Sequence, residues 1–202
     1  MYIFVKRVFD IFGSISILIL SLPIFIITAL LIYLFNGNPI FFYQKRVGRY
    51  GSLFTLYKFR SMKNSSNYNN LGDIQKSESL KSARERFKST SINDKRITNI
   101  GKFIRSFHID ELPQILNVLK GDMSLVGPRP DVLAQMADYT QKEWDKRNSI
   151  RPGITGFSQI SKIYSTKERI KYDLMYLDKL SFVFDTKILL LTFVKLLNNR
   201  SF

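Results

Sequence analysis

Between residues 11 and 44 the chain carries no charged side chain, and this one stretch limits what the rest can fold into. Its most apolar part runs over residues 15–35. About 20 apolar residues in a helix are enough to cross the hydrocarbon of a bilayer. The run is too long for the core of a secretory signal, and no small-residue cleavage site follows it. Pro23 falls in its middle. A proline inside a helix removes a backbone donor, and its ring crowds the carbonyl four residues earlier, here that of Ile19. The expectation is a helix kinked or broken at Pro23 into halves 11–22 and 24–35, each too short to cross alone. Lys6 and Arg7 precede the run, and Lys45, Arg46 and Arg49 follow it. Basic flanks mark the cytoplasmic side of a membrane segment. Matching flanks fit a hairpin that enters and leaves by one leaflet; a proline-kinked single span fits equally well.

Over 202 residues there are 31 Lys and Arg against 16 Asp and Glu, a net charge of +15. That excess calls for an anionic partner: nucleic acid, an anionic membrane surface or a phosphorylated substrate. Cysteine is absent, which excludes disulfides, thiolate zinc sites and a cysteine nucleophile. His108 is the single histidine, so a histidine-rich metal site is excluded as well. A metal bound here would be a hard cation on carboxylates and phosphates.

After the apolar segment, IFFYQKRV and SLFTLYKF are rich in aromatic and β-branched residues and flank the turn signal Gly48-Arg49-Tyr50-Gly51. A β-hairpin is expected. Residues 63–94 are mostly polar and read as a mobile excursion with one short helix around 78–88. Apolar residues at 100, 103, 104 and 107 make a helical stripe. Residues 182–197 are nearly all apolar but carry Asp185, Lys187 and Lys195, which suits an interfacial helix or a core helix better than a span. The fold class is mainly α with a small β-hairpin (α+β), organised as a membrane segment over 1–38 and one catalytic domain over 39–202.

Asp110 and Glu111 stand just before Pro113, which is tolerated only in the first turn of a helix. A helix start is expected at residues 110–112 and its end at Gly121. Taken alone, the acidic pair is well explained by capping and the helix dipole. Its surroundings add weight, because Arg129 (in GPRP) and Arg151 (in RPGITG) each sit in a rigid Pro/Gly loop. A guanidinium so anchored suits bidentate phosphate contacts. The combination points to a phosphate-and-magnesium site. A Ser-His-Asp triad, a Walker loop and a dinucleotide fingerprint all lack their motifs. Adjacent carboxylates cannot straddle a sugar ring as glycosidase pairs do. An aspartate attacking phosphorus is compatible with the residues.

The stretch NDKRITNIGKFIRSFHIDELPQILNVLKGDMSLVGPRP, then RPGITG, closely resembles the bacterial sugar transferases, the monotopic phosphoglycosyl transferases that begin lipid-linked glycan assembly. KRVFD, the proline-interrupted apolar segment and YKFRSM extend the resemblance over nearly the whole chain apart from residues 63–92. It implies a re-entrant helix turning at Pro23 and a catalytic domain on the cytoplasmic face of the bacterial inner membrane. The implied chemistry is ping-pong. An Asp takes a sugar phosphate from a UDP-sugar, releasing UMP, and passes it to undecaprenyl phosphate with Mg²⁺ as cofactor. By resemblance Asp110 is the nucleophile and a metal ligand, and Glu111 organises the metal or the acceptor phosphate. Arg129 and Arg151 contact donor phosphates, with Lys58, Arg60 and Arg105 as further candidates. Anionic lipid joins the two substrates as a partner of the positive charge.

The chain departs from the family pattern in two places. Leu22 replaces the serine common before the membrane proline, and FSQISKI (157–163) replaces Trp-Ala-Gln-Val-Asn-Gly-Arg, a segment expected to shape the nucleoside or sugar pocket. Nucleic-acid binding is disfavoured, since the basic residues are dispersed and no recognition module is present. A structural membrane-surface protein would leave the acidic pair idle, and a glycosyltransferase moving sugar alone would release UDP. His108, Trp144 and the Tyr172–Leu177 stripe read as packing residues, and Asp173 as a surface carboxylate.

Overall fold

The structure, a computed structural model, describes residues 2–63, 79–87 and 94–198. Helix α1 spans Tyr2–Asn36 and is followed by the antiparallel hairpin β1 (Phe41–Val47) and β2 (Leu53–Phe59), closed by a turn at Arg49–Gly51. Cross-strand pairs such as Phe41–Phe59 and Tyr43–Tyr57 set its register. Short helices α2 (Leu80–Arg86), α3 (Asn99–Ser106) and α4 (Gln114–Lys120) come next. Strand β3 (Ser124–Val126) pairs in parallel with β4 (Gly153–Thr155), and α5 (Gln141–Arg147) lies between them. Helices α6 (Phe157–Ile160), α7 (Thr166–Asp178) and α8 (Phe182–Leu197) complete the chain. The α+β class, the hairpin, the helix near 78–88 and the helical stripe at 100–107 all agree with the sequence. The rest of the polar excursion, 64–78 and 88–93, lies outside the described residues.

α1 is one helical segment with Pro23 inside it, so the proline expected to kink or break the run does not end the helix. Proline removes one donor, and a helix whose other bonds persist can carry that loss where neighbouring side chains face an apolar medium. The helix is long and apolar enough to cross a membrane, with mean hydropathy 2.8, and only 11% of that apolar window is buried. Ile15, Ile17, Ile19, Leu20 and Leu22 stand exposed. An uncovered apolar surface of this extent needs a non-aqueous cover, which makes α1 a membrane-associating element.

Both ends of α1 are fastened to the same body. Near the first end, Lys6 pairs with Asp185 of α8 at 2.5 Å. Arg7 donates to the carbonyls of Val118 and Leu119. Asp10 accepts from the Leu125 amide and the Ser124 hydroxyl. Near the other end, Ile32 is fully buried with Phe59 and Ile104. Asn36 donates to Thr98, and Arg60 donates to the carbonyls of Asn36, Gly37 and Asn38. In α8 only Asp185 and Ile188 are buried, while Val183, Leu190, Phe193, Val194 and Leu197 are exposed. That distribution fits the interfacial reading of α8 rather than the core one. The central core joins β2, α4, β3 and α7 through Leu56, Val118, Leu125, Val126 and Tyr176.

Candidate active site

Asp110 and Glu111 do not open α4. They sit in a single 3-10 turn, Ile109–Glu111, entered through His108 in the left-handed region (φ 54°), and α4 begins three residues after Glu111 with Pro113 as its N-cap. The expected helix start is thus displaced toward Pro113, while the helix end at Gly121 (φ 95°) is as expected. The tight turn points the two neighbouring carboxylates into different surroundings.

Glu111 is held by two cations. Lys58 of β2 lies 2.5 Å from its Oε1, and Arg129 donates to the same oxygen at 3.1 Å. Burial pushes the Glu111 carboxyl up, but the Lys58 and Arg129 charges outweigh that and hold it well below the usual carboxylate range. Asp110 is 7% exposed and has no ion pair among the described residues. Burial, reinforced by the Glu111 charge and partly offset by Lys58, pushes its carboxyl above the usual value. Two adjacent acids are therefore driven apart: one neutralised as a counter-ion, one buried with its oxygens uncommitted.

Arg129 reaches Glu111 because its loop is clamped. Gly127 donates to the Thr155 carbonyl and Gly153 to that of Pro128. A Cβ on Gly153 would lie 2.1 Å from the Gly127 nitrogen, so only glycine permits this approach. The GPRP and RPGITG loops thus meet, but their arginines part. Arg151 donates to the Gly121 carbonyl at 2.7 Å, at the far end of α4 from Glu111, beside Arg7 and Arg49. The structure does not bring Arg151 to the acidic pair, and Arg60 is spent on the three carbonyls that end α1. Arg105 of α3 is half-buried and acts on Asp110 by charge alone.

Sequence reasoning missed Arg46, which lines the same small cleft as Lys58, Glu111, Arg129 and Ile154. It donates to the Pro130 carbonyl. Burial, then the Arg129 charge, pulls Arg46 down to about 10. The hairpin register held the signal: Phe42 faces Lys58 and Gln44 faces Leu56, so alternation puts Arg46 on the Lys58 face. In the segment 157–163, expected to shape a substrate pocket, Phe157 packs its ring 5.1 Å from both Tyr172 and Phe184. Asp173, expected at the surface, is 1% exposed and bonded to Arg147, because α7 turns that position inward. Trp144 is a packing residue as expected, buried against Tyr139.

No group of three or more metal-ligating side chains occurs among the described residues. The donor set is one uncommitted carboxylate, Asp110, beside a second, Glu111, that is already paired. Magnesium keeps several waters and takes one or two carboxylates plus substrate phosphates, so this set fits it, whereas a protein-caged ion would need more ligands.

A membrane-associating helix thus stands on a fold that sets a buried aspartate without an ion pair beside a basic cleft, an arrangement suited to anionic, phosphorylated ligands. The chain belongs to the bacterial sugar transferase family, which it matches over residues 1–199. It is 40% identical over 196 residues to the uncharacterized sugar transferase EpsL of Bacillus subtilis, covering 95% of this chain and 87% of that one. It is 37% identical over 205 residues to the UDP-glucose:undecaprenyl-phosphate glucose-1-phosphate transferase of Klebsiella pneumoniae, covering 97% of this chain but 41% of that protein. With the exopolysaccharide production protein PSS of Rhizobium leguminosarum it shares 36% identity over 94% of this chain and 93% of the other. The chain thus spans nearly all of two of these relatives and about two-fifths of the third.

Proposed function

We propose that this enzyme transfers a sugar 1-phosphate from a UDP-sugar to undecaprenyl phosphate and releases UMP. The observation that carries the reading is the split within the acidic pair: Asp110 buried without an ion pair, Glu111 neutralised by Lys58 and Arg129. The name of the Klebsiella relative describes the same overall reaction. An Asp110 oxygen attacks the phosphorus that bears the sugar. A new phosphorus–oxygen bond forms to Asp110, the bond to the bridging oxygen breaks, and UMP leaves with that electron pair. An oxygen of the acceptor phosphate then attacks the same phosphorus and returns Asp110 as a carboxylate. Glu111 keeps Lys58 and Arg129 beside the reacting phosphoryl group, where their charge favours the developing anion. Magnesium, when bound, screens the carboxylate from the phosphates it approaches.

The docking of both α1 ends on one body supports a monotopic arrangement. A helix crossing the bilayer would place about 30 Å of hydrocarbon between its ends, whereas Arg7 and Asn36 both bond to the catalytic body. In this reading α1 dips into one leaflet around Pro23, and the basic flanks set the body on the cytoplasmic face. Nucleotide release tests the chemistry, using UDP-glucose, UDP-galactose and UDP-N-acetylgalactosamine with undecaprenyl phosphate and Mg²⁺. UMP from the wild type and none from Asp110→Asn is the expected result. UDP release, or an Asp110→Asn enzyme as fast as wild type, overturns it.

A further inference from the structure

An open groove of about 630 Å³ runs between the hairpin and α4, away from the basic cleft. Its lining includes Phe41, Tyr43, Tyr57, Leu116, Leu119 and Lys120. Alternation along β2 aims Tyr57 into this groove and its neighbour Lys58 toward Glu111. Tyr43 and Tyr57 meet edge to face at 5.7 Å, and the Lys120 ammonium lies 4.5 Å over the Tyr57 ring. On α4 the stripe Pro113, Leu116, Leu119 begins two residues after Glu111 and runs away from it for about 10 Å. The walls adjoin α1 at both ends: the Phe41 ring is 6.0 Å from Phe25, and the Leu119 carbonyl accepts from Arg7. In sequence, the exposed apolar residues Ile15, Ile17, Ile19, Leu20 and Leu22 of α1 lie between Arg7 and Phe25.

We propose that this groove holds the first isoprene units of the acceptor, with the phosphate end toward Asp110 and the rest of the chain passing onto the apolar surface of α1. The inference rests on the proposed acceptor and adds where its tail is read. Three rings and two leucines with a single cation and no carboxylate suit an unsaturated hydrocarbon chain and offer a nucleotide few partners. Its walls touch α1 at Phe25 and Arg7, and α1 carries the exposed apolar surface onto which the rest of the chain would pass.

The test uses the full chain in vesicles, with the UDP-sugar that turns over in the panel above. Undecaprenyl phosphate is compared with farnesyl phosphate as acceptor, for wild type, Leu116→Gln and Tyr43→Ser. Tyr43 is 46% exposed, so its replacement guards against misfolding at Leu116. Expected is a fall of about tenfold in kcat/KM for undecaprenyl phosphate, the scale of one apolar side chain's contacts. Farnesyl phosphate, whose short chain fills the same groove, should lose about as much, and the UMP released on donor alone should stay at the wild-type level. Variants that keep the wild-type kcat/KM for undecaprenyl phosphate, or lose it while turning over farnesyl phosphate as before, overturn the groove as the seat of the first units and leave it to a lipid acyl chain or a second copy. A wild type that releases no UMP on donor alone strikes the two-step reaction instead.

Discussion

Two clusters of buried charge flank the loop that carries Arg129, and they are built on opposite rules. On one side Arg147 bonds Asp173 at 3.0 Å and lies 3.4 Å from Asp131, while Arg169 bonds Asp131 at 2.8 Å. Two arginines meet two aspartates, and Tyr139 donates to Asp131. Burial pushes the Asp131 carboxyl up, but Arg147 and Arg169 hold it below its usual range. On the other side Lys58 and Arg129 share Glu111, and Asp110 is left over. The matched cluster locks a shape; the unmatched one leaves a carboxyl without an ion pair, the group proposed to attack the donor. Arg147 joins them, since it also donates to the Arg129 carbonyl.

Removing the leftover charge should have the largest effect of any single change. Asp110→Asn is expected to lower turnover about 10⁴-fold or more, as loss of a nucleophile does, or about 5.5 kcal/mol of barrier. UMP release under saturating donor measures it. Asp173→Asn, more deeply buried and in the matched cluster, should cost stability while leaving the chemical step far less affected. Similar loss of turnover in both would erase the contrast.

Breaking the matched cluster comes next. Arg147→Met leaves Asp131 and Asp173 short of a cation in the interior, and such a break costs about 3–5 kcal/mol. Denaturant unfolding in detergent would show it as a lowered midpoint. A variant as stable as wild type would mean that Arg169 alone balances both aspartates.

Glu111→Gln should cost less, about 1.5–3 kcal/mol, since it weakens charged hydrogen bonds in a partly open cleft where Arg129 stays half-exposed. Because the Glu111 carboxyl is held below its usual value, its contribution is present above the ordinary carboxylate range and is lost as pH falls through the depressed one. The gap between wild type and Glu111→Gln should therefore narrow on acidification. A gap independent of pH would remove the ion pair as its cause.

Much of the fold was legible because its signals are local. The apolar run, the turn between two aromatic strands and the proline-to-glycine span of α4 each lie within a few dozen residues. Of the candidate site, contiguous motifs supply Glu111 and Arg129, which the structure pairs, and Asp110 beside them. What escaped depends on pairing across the chain. Arg46 joins the cleft only through the hairpin register, Arg151 is turned away by the carbonyl of Gly121, and Asp173 faces inward because Arg147 awaits it from α5. Arg60 read as a phosphate ligand by its motif, yet it closes the end of α1, a contact spanning more than 20 residues. The β3–β4 sheet was missed for the same reason: each strand is three residues long and shows no period by itself.

The smallest expected effect has the opposite sign from the rest. Asp110 is buried and its carboxyl is raised, so the folded protein prefers it protonated and carries a penalty when it is charged. Asp110→Asn, near-isosteric and neutral, should raise stability by about 0.5–2 kcal/mol at neutral pH, the usual trade of function against stability. The sign follows from linkage: a carboxyl raised on folding binds more protons in the folded state. Wild-type stability from this group then falls as pH rises from the ordinary carboxylate range through the raised one. The advantage of Asp110→Asn should be full above that window and vanish below it. Thermal unfolding in EDTA across the window measures this, the chelator keeping divalent cations from neutralising the wild-type carboxylate. An Asp110→Asn protein less stable than wild type at neutral pH would mean that Lys58 and Arg105 already compensate the charge, and that Asp110 belongs with the matched cluster after all.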